Sequence, residues 1–410
     1  MQDRNTLDAG MASPPKSWRT RRDDFFLACC RRAMRDIAGG RMTLTMPSGQ
    51  TAELGRGGTA QAELTLKNFA PFWKGLRRGS IGFAESYMNQ DCNTRDLADV
   101  FRFFIDNKAA LDDAGRGNFK VRVPDKIAHV WRSNTRDGSR RNVSAHYDLG
   151  NAFYAPWLDT TMTYSSAVYP APNTTLEAAQ EEKYRRIFAA LDLKPGMRLL
   201  EIGCGWGALA ERAARMGAHV TAVTISREQL AYAQARIAAA GLTSRVDVQF
   251  CDYRDIVGQF DRIVSIEMIE AVGEAHWPDY FHTLSERLAP GGRAVLQSIT
   301  IAEDAFETYR RKADFIQRYI FPGGMLPTPQ RMTEQARAAG LGFETVETFG
   351  ISYARTLADW RTRFLDAWPT LERQGFDERF RRMWIYYLTY CEVGFQRGAI
   401  DVGLYRFKAL

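Results

Sequence analysis

The sequence predicts an α/β protein with a doubly wound, mostly parallel sheet, preceded by a smaller α+β domain. From about residue 180 onward, short apolar runs such as RLLEI, HVTAVTI and RAVLQSITI alternate with amphipathic helical segments, which is the pattern of βαβ units. The stretch before residue 112 lacks that alternation. A chain of 410 residues also exceeds what one hydrophobic core usually supports, so two domains are expected.

The predicted N-terminal domain combines helices with a small sheet. Its expected elements are a helix over 24–37 that Gly39-Gly40 ends, a hairpin over 42–54 around Pro47-Ser48-Gly49, a strand and helix over 62–79, and a helix over 96–107. Residues 112–141 are rich in Gly, Asp, Arg and Asn and are typical of a linker. We place the boundary near residue 125, with domains at 1–125 and 126–410.

The predicted catalytic part alternates strands with helices. Strands are expected over 198–205, 219–225, 245–252, 260–268 and 293–301, and helices over 181–193, 208–217, 227–241 and 279–292, the last ending at Pro290-Gly291-Gly292. Apolar strands separated by helices favour a parallel sheet covered on both faces.

Composition narrows the class of protein. No run approaches the ~18 apolar residues that a membrane span needs, and the N-terminus lacks an apolar signal region, so a cytoplasmic location is expected. The net charge of +7 is compatible with an anionic partner. Basic and bulky apolar residues adjoin in the N-terminal domain, which suits a membrane-docking surface or a solvated helix face. These residues are Arg19, Arg21, Arg22, Arg31, Arg32, Arg35, Phe69, Phe72, Trp73, Lys74, Arg77 and Arg78.

The sharpest local pattern is LLEIGCGWGALA, residues 199–210, where a buried strand meets a glycine turn and a helix follows directly. Gly203, Gly205 and Gly207 allow positive φ angles and close approach of the backbone to a ligand. The turn lies at the carboxyl end of a strand, which is where open α/β sheets bind ligands. A turn without any ligand is also compatible with the pattern.

Two cofactors compete for this turn. Gly203, Gly205 and Ala208 satisfy the dinucleotide fingerprint, but that fingerprint is followed by an acidic residue about 20 positions later. Here the second strand ends in Thr224-Ile225-Ser226, without a carboxylate. S-adenosylmethionine has no pyrophosphate and carries an amino group that Glu201 can meet, so it suits the loop better. The expected fold is therefore the Rossmann-like fold of class I methyltransferases.

A second group of residues supports the same cofactor. CDYRDI, residues 251–256, closes the third strand with Asp252 and Tyr253. The tyrosine ring can stack on adenine, and the carboxylate can accept a hydrogen bond from the adenine amino group. A core aromatic is the alternative role for Tyr253.

Longer motifs surround the glycine turn and point to a family. They are HYDLGNAFYAPWLDTTMTYSSAVY (146–169), SIEMIEAVGEAHWPDYF (265–281), IQRYIFPGGMLPT (316–328), FGISYARTL (349–357) and a helical YYLTYCEVGFQRGAIDVG (386–403). In this order they resemble the cyclopropane-fatty-acyl-phospholipid synthase family over nearly the whole chain, most strongly from His146 onward. Residues 40–107 resemble the small N-terminal domain of its phospholipid-acting members.

The resemblance implies methyl transfer from S-adenosylmethionine to the double bond of an unsaturated phospholipid acyl chain, through a carbocation that loses a proton and closes to a cyclopropane. It also implies a bound bicarbonate ion as the base. By position, the bicarbonate-site residues are Ser166, Glu270, Gln297, Ile299 and Tyr353. The implied cofactor contacts are Tyr164, Ser165, Gly203, Gly205, Thr224, Ser226, Gln229, Asp252 and Tyr253, to which the loop adds Glu201 and Gly207.

Four positions depart from the family pattern. Ser166 stands where the family has Cys and Gln297 where it has His. Glu267 stands where many synthases have Gly, and Ala271, after Glu270, stands where they have His. A glutamine amide donates and accepts hydrogen bonds but cannot carry a proton as histidine does. If Glu267 faces the pocket beside Glu270, one of the two pKa values rises and one carboxylate can serve as base. The alternative is that Glu267 points away.

These departures leave the product open. Ring closure to a cyclopropane is the first expectation, a methylene- or methyl-branched chain is the alternative, and a non-catalytic lipid-binding member is the third. The expected partner is an unsaturated phospholipid in an anionic membrane surface, contacted by residues 1–125 from the inner face of the membrane. A homodimer is implied by analogy. A metal site is not expected, and a nucleic-acid partner is disfavoured because no basic stripe with stacking aromatics accompanies the site.

Overall fold

The computed structural model describes residues 18–58, 60–108, 110–111 and 149–410. The predicted linker over 112–141, the domain boundary near residue 125 and His146 lie outside the described residues. Within the described part of the chain, no helix is long and apolar enough to cross a bilayer.

The N-terminal residues form a helix-flanked sheet. Its elements are α1 (Trp18–Ala33), β1 (Gly40–Thr45), β2 (Thr51–Leu54), β3 (Ala60–Leu66), α2 (Ala70–Met88), β4 (Cys92–Asn93) and α3 (Leu97–Asp106). The strands are ordered β2-β1-β3-β4, and β1 pairs antiparallel with β2, which confirms the predicted hairpin. Strand β3 lies parallel to β1 on the other side. Gly79, at φ 56°, interrupts α2, so its first two turns form a separate helical segment.

The larger unit carries the remaining elements. Its helices are α4 (Asn151–Tyr154), α5 (Leu176–Leu191), α6 (Ala208–Arg215), α7 (Arg227–Ala239), α8 (Ile269–Val272), α9 (Trp277–Arg287), α10 (Glu303–Tyr309), α11 (Phe315–Tyr319), α12 (Pro329–Ala338), α13 (Gly350–Arg373) and α14 (Glu378–Gln396). Its strands are β5 (Arg198–Ile202), β6 (His219–Thr224), β7 (Val246–Phe250), β8 (Phe260–Ile266), β9 (Leu288–Ile301), β10 (Leu341–Thr348) and β11 (Ile400–Ala409).

Seven strands form one sheet in the order β10-β11-β9-β8-β5-β6-β7. Strands β5 to β9 pair in parallel, whereas β11 is antiparallel to both of its neighbours. The strand order reverses next to β5, so the carboxyl ends of β5 and β8 border a crevice of the kind that binds ligands in open α/β sheets. The doubly wound, mostly parallel sheet predicted from the sequence is confirmed.

Three local expectations need correction. The helix expected over 279–292 ends at Arg287, and β9 begins at Leu288. Pro290 disfavours helical geometry at the preceding residue, so the helix ends before it. The motif over 386–403 is helical only to Gln396, and its last residues belong to β11. Strand β10 was not predicted, because its outer residues are polar and exposed and it lies at the edge of the sheet.

The two units pack through α14, which lies against α2 and α3. The Arg382 guanidinium donates hydrogen bonds to the backbone carbonyls of Tyr87, at 2.5 Å, and Cys92, at 2.8 Å. Tyr386 and Tyr387 are buried on the same helix, and the Tyr387 hydroxyl lies 2.9 Å from that of Tyr164. Helix α14 therefore connects the N-terminal unit to a residue that lines the pocket described next.

Candidate active site

The cofactor loop has the geometry that its glycines predict. Gly203, Gly205 and Gly207 all have positive φ angles, 82°, 51° and 83°. A Cβ atom on Gly203 would lie 3.1 Å from the Met268 side chain, and one on Gly207 would lie 3.0 Å from the Ala233 Cβ. Side chains are therefore excluded at both positions, and the turn can lie close to β8 and α7.

A pocket opens above this loop at the carboxyl ends of β5, β6 and β8. Ten of the predicted residues line it: Tyr164, Ser165, Glu201, Gly203, Gly205, Thr224, Gln229, Asp252, Tyr253 and Glu267. Gly207 and Ser226 are not among the lining residues. Gly207 precedes α6 and packs on α7, whereas the Ser226 hydroxyl accepts a hydrogen bond from the Gln229 backbone N–H at 3.3 Å and caps α7.

Glu201 is one of the acidic residues that line this pocket. It is buried, and its Oε2 atom has no hydrogen-bond partner among the described residues. Burial raises the pKa of its carboxyl group to about 8, and the charge of Lys183 acts in the opposite direction. A buried carboxyl oxygen without a hydrogen bond is costly, and the cationic amino group of S-adenosylmethionine would satisfy it. The residues present therefore fit this cofactor.

Lys183 is a pocket residue that was not predicted. It lies on α5, is fully buried, and its Nζ donates a hydrogen bond to the Ser165 hydroxyl at 2.8 Å. Burial lowers the pKa of its ammonium group to about 7, although nearby carboxylates, Glu267 first, oppose that shift. The lysine stands among charged residues, but Ala179 and Ile187, four residues away on either side, lie on the same face of the helix and make that face apolar.

Asp252 and Tyr253 lie at the pocket wall beyond β7. The Asp252 carboxylate forms a two-point contact with the Arg254 guanidinium, at 2.8 and 2.7 Å, and this pair orients it. The Tyr253 ring packs edge-on against Tyr280, with 5.3 Å between ring centroids. The tyrosine lines the pocket, as an adenine-stacking residue requires, while its edge contributes to the core.

The Glu267 side chain points into the interior and lines the pocket. Its Oε1 accepts hydrogen bonds from the Ser166 backbone N–H, at 2.8 Å, and from the Gln297 amide, at 2.7 Å. Its Oε2 accepts a hydrogen bond from the Tyr353 hydroxyl at 2.6 Å. Burial raises the pKa of the Glu267 carboxyl, and these hydrogen bonds act in the opposite direction. Three residues of the implied bicarbonate site thus meet on one carboxylate of the protein itself.

The backbone of Glu267 is unusual. Its φ angle is 48°, in the left-handed region that favours glycine. A side chain there costs about 1–2 kcal/mol. The backbone N–H of Glu267 donates a hydrogen bond to the carbonyl oxygen of Gln297 at 2.7 Å. This hydrogen bond attaches the turn that follows β8 to strand β9. The strain is therefore held by contacts on both backbone and side chain.

Glu270 lies three residues after Glu267, in the short helix α8, and its carboxylate accepts hydrogen bonds from other residues. Its Oε1 accepts hydrogen bonds from the Ile299 backbone N–H, at 2.5 Å, and from the Ser298 hydroxyl, at 3.1 Å. Its Oε2 has no partner in the described part of the chain. Burial, and then the neighbouring charge of Glu267, raises the pKa of Glu270 to about 8. The site thus contains two adjacent carboxyl groups that hold protons more tightly than exposed glutamates.

Aromatic rings surround these carboxyl groups. Tyr353 stacks on Phe395 with 4.5 Å between ring centroids and meets Trp360 edge-on. Tyr164 packs on Trp360 at 5.1 Å, and its hydroxyl is 2.9 Å from that of Tyr387. Aromatic faces stabilise a nearby cation by about 0.5–2 kcal/mol. The site can therefore hold a sulfonium donor, stabilise a positive charge and accept a proton.

Comparison of the sequence with known proteins shows the family of the chain. The family model described as mycolic acid cyclopropane synthetase matches residues 134–405. The chain belongs to this family. The tuberculostearic acid methyltransferase UfaA1 of Mycobacterium tuberculosis is 41% identical over 334 residues, which cover 80% of this chain and 78% of the relative. The cyclopropane-fatty-acyl-phospholipid synthase of Escherichia coli is 37% identical over 352 residues, which cover 85% of this chain and 88% of that protein.

A solved structure agrees with this placement in the mycolic acid cyclopropane synthetase family. The mycolic acid cyclopropane synthase CmaA1, complexed with SAH and CTAB, matches with a TM-score of 0.61 and 32% identity, covering 65% of this chain and 97% of that one. The family resemblance predicted from the sequence is confirmed. The chain is an S-adenosylmethionine-dependent methyltransferase, and its relatives support transfer of the methyl group to a lipid.

Proposed function

We propose that this member of the family methylates the double bond of an unsaturated phospholipid acyl chain and releases a methylene-branched chain. The observation that carries the proposal is the meeting of the cofactor pocket with the Glu267–Glu270 carboxyl pair inside an aromatic shell. This arrangement suits a positively charged intermediate on an apolar chain, because carboxyl groups and aromatic rings both stabilise a nearby cation.

Different residues bind the cofactor, stabilise the cation and remove the proton in the proposed reaction. S-adenosylmethionine supplies an electrophilic methyl group when bound. Glu201 would hold its amino group, while Tyr253 would stack on its adenine. The alkene π electrons form the new carbon–carbon bond, the carbon–sulfur pair leaves with the sulfur, and a cation remains on the neighbouring acyl carbon. The rings of Tyr353 and Trp360 would stabilise that cation, and an acidic residue would take the proton that it loses.

The branched product is favoured by two observations. Position 297 holds Gln in place of a proton-carrying His, and UfaA1, at 41% identity, is named a tuberculostearic acid methyltransferase and not a cyclopropane synthase. In this route a hydride shifts from the methyl-bearing carbon to the cation before the methyl group loses a proton, which leaves a methylene group. Cyclopropane formation is the second candidate, favoured by the 37% identity to the Escherichia coli synthase.

The phospholipid acceptor also requires a membrane-facing surface. Three apolar side chains are exposed on the first two helices: Phe25 at 65%, Trp73 at 52% and Leu76 at 40%. Helical spacing puts Arg21 and Arg32 on the face of Phe25, and Arg77 on the face of Trp73. We call these six residues the aromatic–basic patch. Apolar anchors flanked by cations suit an anionic lipid surface.

Lipid analysis tests this function. The chain is expressed in a bacterial host that makes monounsaturated phospholipids but lacks its own synthase of this family, and fatty acid methyl esters are analysed by mass spectrometry. We expect a methylene-branched ester one carbon heavier than a host monounsaturated acid, and its loss in Glu270→Gln. A cyclopropane ester would identify the second candidate, whereas no new ester despite soluble protein would contradict both.

A further inference from the structure

The carboxylate of Glu267 occupies the centre of a ready-made anion site. The donors are the backbone N–H of Ser166, the amide of Gln297 and the hydroxyl of Tyr353, at 2.8, 2.7 and 2.6 Å. These are three of the five positions at which the family resemblance implies a bicarbonate ion. We propose that Glu267 takes the place of bicarbonate in this chain and is the base that removes the proton, so that the enzyme works without bicarbonate.

The donor set fits a carboxylate and leaves no room for a second anion. A carboxylate and a bicarbonate ion share the planar O–C–O group that such donors recognise. Oε1 of Glu267 accepts two hydrogen bonds and Oε2 accepts one, so a lone pair on Oε2 stays available for a proton. A bicarbonate ion would have to displace Glu267 or lie against it as a second negative charge in a buried site, which is unfavourable. The residues present therefore do not fit bicarbonate.

The backbone explains why the side chain reaches this place. Residue 267 has a φ angle of 48°, which glycine adopts freely, and the family resemblance puts Gly at this position in many synthases. With glycine the three donors would face open space, whereas here the glutamate side chain fills it. Glu267 also lines the cofactor pocket, next to the loop that would hold the methyl donor. A strained backbone at such a site is typical of a functional constraint.

The proton-transfer step balances without any other reactant. It rests on the proposed function, which supplies a cation on the acyl chain. After the hydride shift, an oxygen of the Glu267 carboxylate takes a proton from the transferred carbon, and the electron pair of that carbon–hydrogen bond becomes the π bond of the methylene group. The cation and the carboxylate are converted into a neutral lipid and a carboxylic acid, which returns its proton to solvent. No oxidant or reductant takes part.

The first experiment measures methyl transfer from S-adenosylmethionine to vesicles of monounsaturated phosphatidylglycerol, in CO2-free buffer and after addition of millimolar bicarbonate. We expect the unmodified enzyme to have the same rate in both media. Glu267→Gly should lose about 100-fold or more in CO2-free buffer, the range for a general base, and recover at least tenfold with bicarbonate. Glu267→Gln is the matched control: its amide fills the same space, so bicarbonate should not restore it. Stimulation of the unmodified enzyme, or a fully active Glu267→Gly variant without bicarbonate, would overturn the assignment.

The second experiment needs no turnover, so it separates this inference from the proposed function. Binding of 13C-labelled bicarbonate to the purified full chain is measured by NMR line broadening. We expect binding to Glu267→Gly, whose donors are free, and none to the unmodified chain or to Glu267→Gln. Binding to the unmodified chain that equals binding to Glu267→Gly would overturn the inference. Absence of lipid product in both media, together with the expected binding pattern, would refute the proposed function and leave the anion-site assignment supported.

Discussion

At the scale of single residues, the site depends on buried groups whose charge is set by their surroundings. Glu201, Glu270 and Lys183 all have pKa values moved towards neutrality, chiefly by burial. Each group can therefore change its charge when a ligand or a neighbour changes. The pocket is prepared for a ligand with both an amino group and a positive sulfur, because its carboxyl groups gain most from nearby cations.

Replacing Lys183 should weaken cofactor binding. In Lys183→Met the Ser165 hydroxyl loses its charged donor and the buried carboxyl groups lose a cation, so we expect KM for S-adenosylmethionine to rise about tenfold, as for a lost charge-assisted hydrogen bond. The pKa of Lys183 is lowered to about 7, so its titration should change the rate near neutral pH. This change of rate with pH should be absent in Lys183→Met. Lys194→Met, an exposed lysine beyond α5, is the control. An unchanged KM and pH profile in Lys183→Met would show that the lysine only fills space.

Ten of the residues predicted from the sequence line the pocket, but the sequence did not show how they are connected. The glycine loop predicts its own geometry, because glycine adopts the positive φ angles of Gly203 and Gly207 without strain and leaves space for the close neighbours of both. The sequence did not decide whether Glu267 points inward. The direction of its side chain depends on the left-handed conformation of the residue and on its backbone hydrogen bond to Gln297 in β9. Lys183 was missed because charged neighbours on α5 hid its apolar face. Long-range packing decides the direction of Glu267, whereas the apolar residues Ala179 and Ile187 were a local signal for the burial of Lys183.

At the scale of elements, the helices of the N-terminal unit carry the proposed membrane contact. Helix α1 buries Leu27 and leaves Phe25 exposed, and the first part of α2 leaves Trp73 exposed. Phe26 joins the two, with its ring 5.6 Å from that of Phe25 and 6.0 Å from that of Trp73. The two exposed aromatic residues of the aromatic–basic patch are therefore connected through one ring.

Removing the patch should reduce vesicle binding without unfolding the protein. Each exposed apolar side chain that enters the lipid interface contributes on the order of 1.5 kcal/mol, about tenfold in affinity. We expect Phe25→Ser with Trp73→Ser to lower co-sedimentation with anionic vesicles at least tenfold and to leave the melting temperature unchanged. Val257→Ser removes an 81% exposed apolar side chain from the catalytic unit and is the control. Equal losses in both proteins would contradict a role for the patch.

At the scale of the whole molecule, buried carboxyl groups couple folding to pH. The folded-state pKa values of Glu201 and Glu270 rise from the ordinary 4.5 to about 8, and that of Glu267 rises as well. The folded chain therefore binds more protons than the unfolded chain between these values. The stability that these groups contribute is fully present below pH 4.5 and is lost as the pH rises through about 8.

This linkage predicts a measurable slope. The free energy of unfolding, measured with denaturant between pH 5 and 8, should fall as the pH rises, and the slope should be shallower in Glu270→Gln because one titrating carboxyl group is gone. Lys183, with its pKa lowered to about 7, acts in the opposite direction only above that value. A slope identical in the two proteins would show that Glu270 titrates in the folded state as it does in water.

The most direct test of methyl transfer to a lipid carbon follows the methyl hydrogens. The enzyme is incubated in CO2-free buffer with S-adenosylmethionine that carries a trideuterated methyl group and with monounsaturated phosphatidylglycerol vesicles, and the acyl chains are analysed by mass spectrometry. We predict acyl chains that gain one carbon and keep two of the three deuterium atoms, because Glu267 removes the third. Acyl chains without deuterium, or labelled only in the head group, would contradict the proposal.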